Sequence, residues 1–215
     1  TGTFNVSSQQ LEGTLFATLD KVINGDSIQV VSDLGDTLIV KLSSEETMMG
    51  DPIVGNRLAI TPLGTDFKVA YKIINVSQLI GEWLEPSPLA EGSYTGIDLA
   101  EGGAAIAINS QTTEYEDWRL EKDLLLVTYT AKGMDVSELT VDTFNILMLT
   151  ADSLRLSNST SRFFFCRSTE IEKRKAQQPT YNRERDEADN YDLFNPEGDS
   201  PTGSSATDDG LMTGY

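Results

Sequence analysis

Five carboxylates cluster near the middle of the chain, and a pair of carboxylates is the catalytic equipment of most glycoside hydrolases. The cluster surrounds Trp118 and consists of Glu114, Glu116, Asp117, Glu121 and Asp123. The chain carries 34 acidic residues among 215, so clusters of this kind are expected without any catalytic role. We interpret the cluster as a solvated face or turn, which makes a carboxylate-based hydrolase the most remote of three functional hypotheses.

Histidine is absent from the sequence. It is the commonest general base and the commonest transition-metal ligand, so Ser/His/Asp catalysis, Cys/His catalysis and Cys/His zinc sites are excluded within these 215 residues. The single cysteine, Cys166, follows three phenylalanines and is predicted to be a buried strand residue that behaves as a small hydrophobe. We therefore predict a protein that is not an enzyme and that uses no cofactor and no metal.

Two further patterns do not change that prediction. Some hydrolases use an N-terminal threonine as their nucleophile, which makes Thr1 a candidate. However, Asp20, Lys21 and Asp26 fall in a predicted hairpin, and the alternating helices and strands of those hydrolases are missing. An EF-hand loop starting at Asp186 fails because Ala188 occupies a position that needs an oxygen ligand.

The charge balance limits the partners. The formal net charge is −18 and the pI is about 4.2, which argues against sequence-independent nucleic-acid binding because that needs a basic surface. We also expect no direct sequence-specific binding of nucleic acid. Anionic lipid surfaces are disfavoured for the same reason, and no apolar run approaches the roughly 20 residues that span a bilayer. Because the first residues resemble no secretory signal, we expect a soluble protein that assembles inside the cell or in a virion.

The elements that carry these residues are predicted to be strands. Short Val/Ile/Leu/Thr/Phe runs alternate with turn residues, and Asn24-Gly25-Asp26 predicts a tight hairpin. Phe67, Val69, Tyr71 and Ile73 are predicted to share one face of a strand, with lysines on the other. The fold class is therefore mainly β, a small barrel or sandwich or two β lobes, with an extended C-terminal arm that contains one short helix.

Composition shifts suggest how the chain is divided. We predict an N-terminal extension, a small barrel-like lobe, a Gly-, Pro- and acid-rich connection, a second β lobe or second sheet, and a polar acidic arm, over residues 1–11, 12–80, 81–103, 104–167 and 168–215 respectively.

The predicted arm is too polar to fold alone. Thr169 with Glu172 forms a capping-box pattern, and residues 170–178 could form a charged helix that Pro179 ends. Residues 181–215 contain nine acids and two arginines, so the segment buries too little apolar surface to offset its ordering entropy. We predict that it binds neighbouring subunits through isolated anchors, namely Tyr181, Tyr191, Leu193, Phe194, Leu211, Met212 and Tyr215.

These features favour a structural protein that packs against copies of itself or against other subunits of a large assembly. By analogy of architecture we expect a phage-like virion component, such as a decoration, head-to-tail connector or tail protein. The alternative is a carbohydrate- or surface-binding β module that stacks its ligand on aromatic rings, for which the candidates are Trp83, Tyr94, Tyr115 and Trp118.

Overall fold

The computed structural model describes residues 13–132 and 138–177, and its architecture confirms the predicted mainly β fold class. Fourteen strands in these residues form two sheets, and each sheet curls into a barrel. The first six are β1 (Leu15–Asn24), β2 (Ser27–Ser32), β3 (Thr37–Leu42), β4 (Met48–Met49), β5 (Arg57–Pro62) and β6 (Val69–Asn75).

The first barrel is closed. Strands β1, β2 and β3 form an antiparallel meander whose first hairpin turns at Gly25, and β5 pairs with β1 on one side and with β6 on the other. A parallel pairing of β3 with β6 completes the ring. Its interior is filled by aliphatic side chains that are no more than 1% exposed, namely Leu19, Val30, Val40, Leu58, Ile60 and Ile73.

Strand β6 differs from the predicted alternation. Pro62 and Thr61 on β5 pair with Ala70 and Lys72, so Tyr71 is an extra residue at a bulge. The bulge turns Tyr71 outward, where it is 49% exposed, and buries Ala70 in its place.

The second barrel is an eight-stranded up-and-down meander. Neighbours in the sheet are consecutive in the chain except where β14 pairs with β7. Between β9 and β10 the described residues form one isolated β-bridge, from Ala104 to Asp117, and beside it Trp118 N donates to Gly103 O at 2.7 Å. The strands are β7 (Gly81–Pro86), β8 (Tyr94–Leu99), β9 (Ala105–Ile108), β10 (Thr113–Glu121), β11 (Leu124–Ala131), β12 (Leu139–Leu149), β13 (Ser153–Ser157) and β14 (Arg162–Cys166).

Residues 81–103, expected from the sequence to be a connection, instead supply β7 and β8 of this barrel. Trp83 is fully buried in the interior, and Gly96 on β8 lets the two strands approach closely. A Cβ atom at position 96 would collide with the carbonyl oxygen of Trp83. Position 96 therefore requires glycine because the two strands pack closely, although the sequence around it predicts a loop.

The two barrels share a hydrophobic cluster, and all described elements belong to one unit of the chain, Thr1–Gln177. Ala59 and Ile74 of the first barrel join the core of the second, together with Val76 and Leu79 from the short helix α1 (Val76–Leu79). Asn75 starts that helix and is fully buried, with its side chain accepting from Gln78 N at 3.0 Å.

A second helix, α2 (Ser168–Gln177), follows β14 directly. It begins two residues before the predicted start at residue 170, and its Ile171 is only 5% exposed. The short helix predicted for the C-terminal part is therefore present and packs on the barrel unit.

Candidate functional site

A cavity of about 190 Å³ lies inside the second barrel. Apolar and aromatic side chains from six strands line most of it, while four residues contribute polar groups. The lining residues are Ile97, Leu99, Thr113, Tyr115, Leu125, Val127, Tyr129, Asp142, Phe144, Leu156, Phe163 and Phe165.

Strand alternation explains this lining. Leu125, Val127 and Tyr129 follow at every second position of β11, so they share the inner face of the sheet. On β10 the extra residue Glu116 shifts the alternation, so that both Tyr115 before the bulge and Trp118 after it point inward.

One end of the barrel is closed by Trp83 and Arg167. The indole Nε1 of Trp83 donates to Leu79 O at 2.7 Å, and the guanidinium carbon of Arg167 lies 3.6 Å from the centre of the indole ring. Arg167 also donates to the carbonyl oxygens of Gln78 at 2.5 Å, Ile80 at 2.9 Å and Glu82 at 3.2 Å. Burial lowers the pKa of Arg167, and the charges of Asp98 and Glu82 partly oppose that shift.

The first barrel covers this same end. Lys122 N, in the hairpin between β10 and β11, donates to Thr14 Oγ1 at 2.9 Å. At the end of β12, Leu149 packs beside Gly50, where an added Cβ would lie 3.4 Å from it. Access to the cavity is therefore through the opposite end of the barrel.

The polar groups of the cavity lie toward that opposite end. Tyr115 and Tyr129 are cross-strand partners whose ring centres are 6.3 Å apart in an edge-to-face arrangement. Asp142 on β12 pairs with Val127 and is half-buried. Two residues beyond Trp83, and so on the same inner face of β7, is the half-buried Glu85.

The ionisable groups at this end of the barrel are partly buried and lie near negative charges. Burial raises the pKa of the Tyr115 hydroxyl, and the charges of Glu85 and Asp142 and the neighbouring Tyr129 raise it further. Burial also raises the pKa of the Glu85 carboxyl group. Within the described residues neither Glu85 nor Asp142 forms an ion pair.

Three of the four aromatic residues predicted to stack on a carbohydrate point into the interior of the second barrel. Trp83 is fully buried, and Trp118 is 8% exposed and donates its Nε1 to Ala100 O at 2.9 Å, so neither ring faces solvent. Tyr115 lines the cavity. Tyr94 starts β8 and is half-buried.

The predicted carboxylate cluster does not converge on a cleft. Glu114, Glu116 and Asp117 are exposed on β10, where Asp117 accepts from Thr128 Oγ1 at 3.0 Å and lies 3.8 Å from Arg119. The described residues include no group of three or more Asp, Glu or Cys placed to hold a metal ion. Asp142, which lines the cavity, and Glu85, which lies on the inner face of β7, were missed in the sequence because isolated acids in strands give no signal of the direction in which they point.

The predicted partner-binding residues lie outside the described part of the chain, and so does Thr1. Their binding to neighbouring subunits stays a prediction, and the residues concerned are Tyr181, Tyr191, Leu193, Phe194, Leu211, Met212 and Tyr215. Among the described residues, no helix has the length and apolar character that crossing a membrane requires.

The comparison with family models concerns the second barrel. The family model described as lipocalin-like matches residues 75–168. The crystal structure of a lipocalin-like protein from Bacteroides thetaiotaomicron VPI-5482 is 38% identical, over 41% of this chain and 95% of that one, with a TM-score of 0.39. The chain belongs to the lipocalin-like family. A search of curated proteins finds no match.

Family membership corrects the predicted function. The expectation of a virion, capsid or viral tail protein was wrong, because a barrel of the lipocalin-like family occupies the segment that was predicted to be a connection and a second β lobe or second sheet. That expectation rested on an analogy of architecture between β-rich, acidic proteins, and such an analogy does not determine function. Residues 13–74, which form the first barrel, precede the matched segment.

Proposed function

We propose that the second barrel of this protein binds a small, mainly apolar molecule in its cavity. The observation that carries the proposal is the cavity itself, which lies inside an eight-stranded barrel and is lined chiefly by aliphatic and aromatic side chains. Eight strands give a barrel that either fills with side chains or holds one small ligand, and here the interior is not filled. Family membership supports the proposal.

The volume limits the ligand to a small body. An apolar cavity of about 150 Å³ is enough to bind benzene. At about 190 Å³, this cavity accommodates a single ring with a short chain. Phe144 and Phe163 present ring edges and faces to such a body, with centres 5.6 Å apart in an edge-to-face arrangement.

The proposal is one of binding without catalysis. The only titratable groups among the lining residues are Tyr115, Tyr129 and Asp142. None of them forms a hydrogen bond with another described side chain that would activate a nucleophile, so no nucleophile and base are paired there.

Filling the cavity tests the proposal. Val127 lines the cavity and is 2% exposed, so Val127→Phe places a ring in the space that the ligand would occupy. We expect the unmodified protein to bind 2-phenylethanol at one site, and we expect Val127→Phe to lower the affinity by tenfold or more. Isothermal titration calorimetry measures both affinities.

The matched control makes the same substitution on the outside of the barrel. Val141 on β12 is 46% exposed, and Val141→Phe should leave the affinity within twofold of that of the unmodified protein. Equal binding by all three proteins would show that the probe does not enter the cavity. An absence of measurable binding to the unmodified protein, both of 2-phenylethanol and of its amine and acid analogues, would overturn the proposal for ligands of this size.

A further inference from the structure

The open end of the cavity is acidic as well as polar. Asp142 lines the cavity, and Glu85 lies on the inner face of β7, two residues from the fully buried Trp83. Two phenol hydroxyls, of Tyr115 and Tyr129, complete this polar end. The remainder of the lining is apolar except for Thr113.

No cation of the described chain neutralises these carboxylates. Ion pairs in the described residues join Asp26, Asp33, Asp66 and Asp117 to basic side chains, and neither Glu85 nor Asp142 takes part in one. Lys132, just past the end of β11, donates its Nζ to Ser110 O at 3.3 Å. A half-buried charge without a partner is costly, so a ligand that supplies the opposite charge gains more here than it would at the surface.

The aromatic rings beside the carboxylates also favour a positively charged ligand. Tyr115 and Tyr129 are aromatic, and the negative face of an aromatic ring attracts a cation. The net charge of the whole chain, −18, raises the local concentration of cations and lowers that of anions.

We propose, on the basis of the binding function above, that the ligand is an amphipathic amine whose ammonium group lies against Asp142 and the two tyrosines, and whose apolar body fills the cavity. Glu85 contributes its charge to the same end of the barrel. The ammonium group donates hydrogen bonds to the carboxylate of Asp142, and charge-assisted bonds of this kind are about twice as strong as neutral ones. The aromatic and aliphatic lining contacts the body.

Three probes that share one body test the head group. They are 2-phenylethylamine, 2-phenylethanol and 3-phenylpropanoate, with a cationic, a neutral and an anionic end respectively, and each is titrated into the full chain by calorimetry at neutral pH. We expect the amine to bind roughly tenfold more tightly than the alcohol, which corresponds to about 1.4 kcal/mol, and the acid to bind more weakly than the alcohol.

Isosteric variants locate the effect. Asp142→Asn should lower the affinity for the amine by roughly tenfold while changing the affinity for the alcohol by less than twofold, since only the amine is paired with the charge. Glu85→Gln should lower the affinity for the amine by a smaller factor. The control is Glu114→Gln, which removes one charge from the exposed face of β10 beside Tyr115 and should leave every affinity within twofold.

The outcomes separate this inference from the proposed function. Binding of the alcohol and the amine with equal affinity, or an unchanged amine affinity in Asp142→Asn, would overturn the amine inference and leave the apolar binding function standing. A loss of amine affinity in Glu114→Gln as large as that in Asp142→Asn would also overturn it, because the preference would then arise from the overall charge. If none of the three probes binds, both proposals fail together.

Discussion

Apolar side chains fill the interior of the first barrel, whereas in the second barrel they line a cavity. In the first barrel a ring of five strands brings Leu19, Val30 and Ile60 into contact at its centre, and these side chains are no more than 1% exposed. In the second barrel eight strands surround a wider interior, and Val127 and Phe144 face an open cavity. Because the diameter of a barrel grows with the number of its strands, the strand count decides whether apolar residues become a core or a binding site.

The two barrels also differ in how their rings are closed. The first is completed by the pairing of Lys41 and Leu42 on β3 with β6. The second is closed by β14 against β7, whereas between β9 and β10 the described residues form a single isolated β-bridge, from Ala104 to Asp117. Close backbone packing at β7 and β8 and the contacts of Arg167 hold the second barrel together at its covered end.

The largest effect is expected from breaking the second barrel at Gly96. Gly96→Ala places a methyl group against the carbonyl oxygen of Trp83, and backbone atoms on two paired strands have little freedom to move apart. We expect a loss of about 3 kcal/mol or more in the free energy of unfolding, measured by urea denaturation.

The control for that prediction is a glycine of the first barrel. Gly25 has no atom within 4 Å of an added Cβ, so Gly25→Ala should change the free energy of unfolding by no more than about 0.5 kcal/mol. Comparable losses in both variants would show that the close approach of β7 and β8 is not what requires the glycine.

An intermediate effect is expected from adding the same volume to each interior. Val30→Phe overpacks the filled first barrel and should cost about 1–3 kcal/mol of unfolding free energy. Val127→Phe enters the cavity of the second barrel and should cost less than about 1 kcal/mol, since its ring occupies existing space. Thermal denaturation of both variants without ligand measures the difference, and equal losses would mean that the second interior is as tightly packed as the first.

The smallest effect is expected from the charge of Glu85. Burial raises the pKa of the Glu85 carboxyl group in the folded protein. The stability that the protonated group contributes is therefore fully present below the ordinary glutamate pKa of about 4.3, and it is lost as the pH rises through the raised pKa. Glu85→Gln should therefore gain stability relative to the unmodified protein between pH 4 and pH 7, by less than about 1 kcal/mol because the group is partly solvated.

Urea denaturation at the two pH values measures that change. The control is Glu114→Gln, on the exposed face of β10, which should change the free energy of unfolding by the same small amount at both pH values. A stability difference for Glu85→Gln that does not change with pH would contradict the burial of its carboxyl group.

Much of the local structure was predictable from the residues. The hairpin at Gly25 and the helix after Cys166 follow from turn chemistry and capping residues, both of which act over a few positions. The bulges at Tyr71 and Glu116 were not predictable, because an extra residue in one strand is defined only by its partner strand. Each bulge reversed the direction of the side chains that follow it.

The candidate site shows the same division. Tyr115 was selected from the sequence as a stacking residue, and it does line the cavity. Glu85 and Asp142 were not selected, since 57 positions separate them in the sequence and only closure of the barrel brings their strands around one interior. The exposed acids around Trp118 formed the denser cluster in the sequence and lie outside the cavity.

By itself, the sequence determined that this protein is acidic, built mainly from β-strands and without histidine chemistry, because charge, periodicity and composition are properties of the residues alone. The tertiary structure decided that there are two barrels, that one is filled and the other hollow, and that Asp142 and Tyr115 share a cavity. The physical reason is that a cavity depends on the number of strands in a ring and on the register of each pairing, and both arise from contacts between residues far apart in the chain.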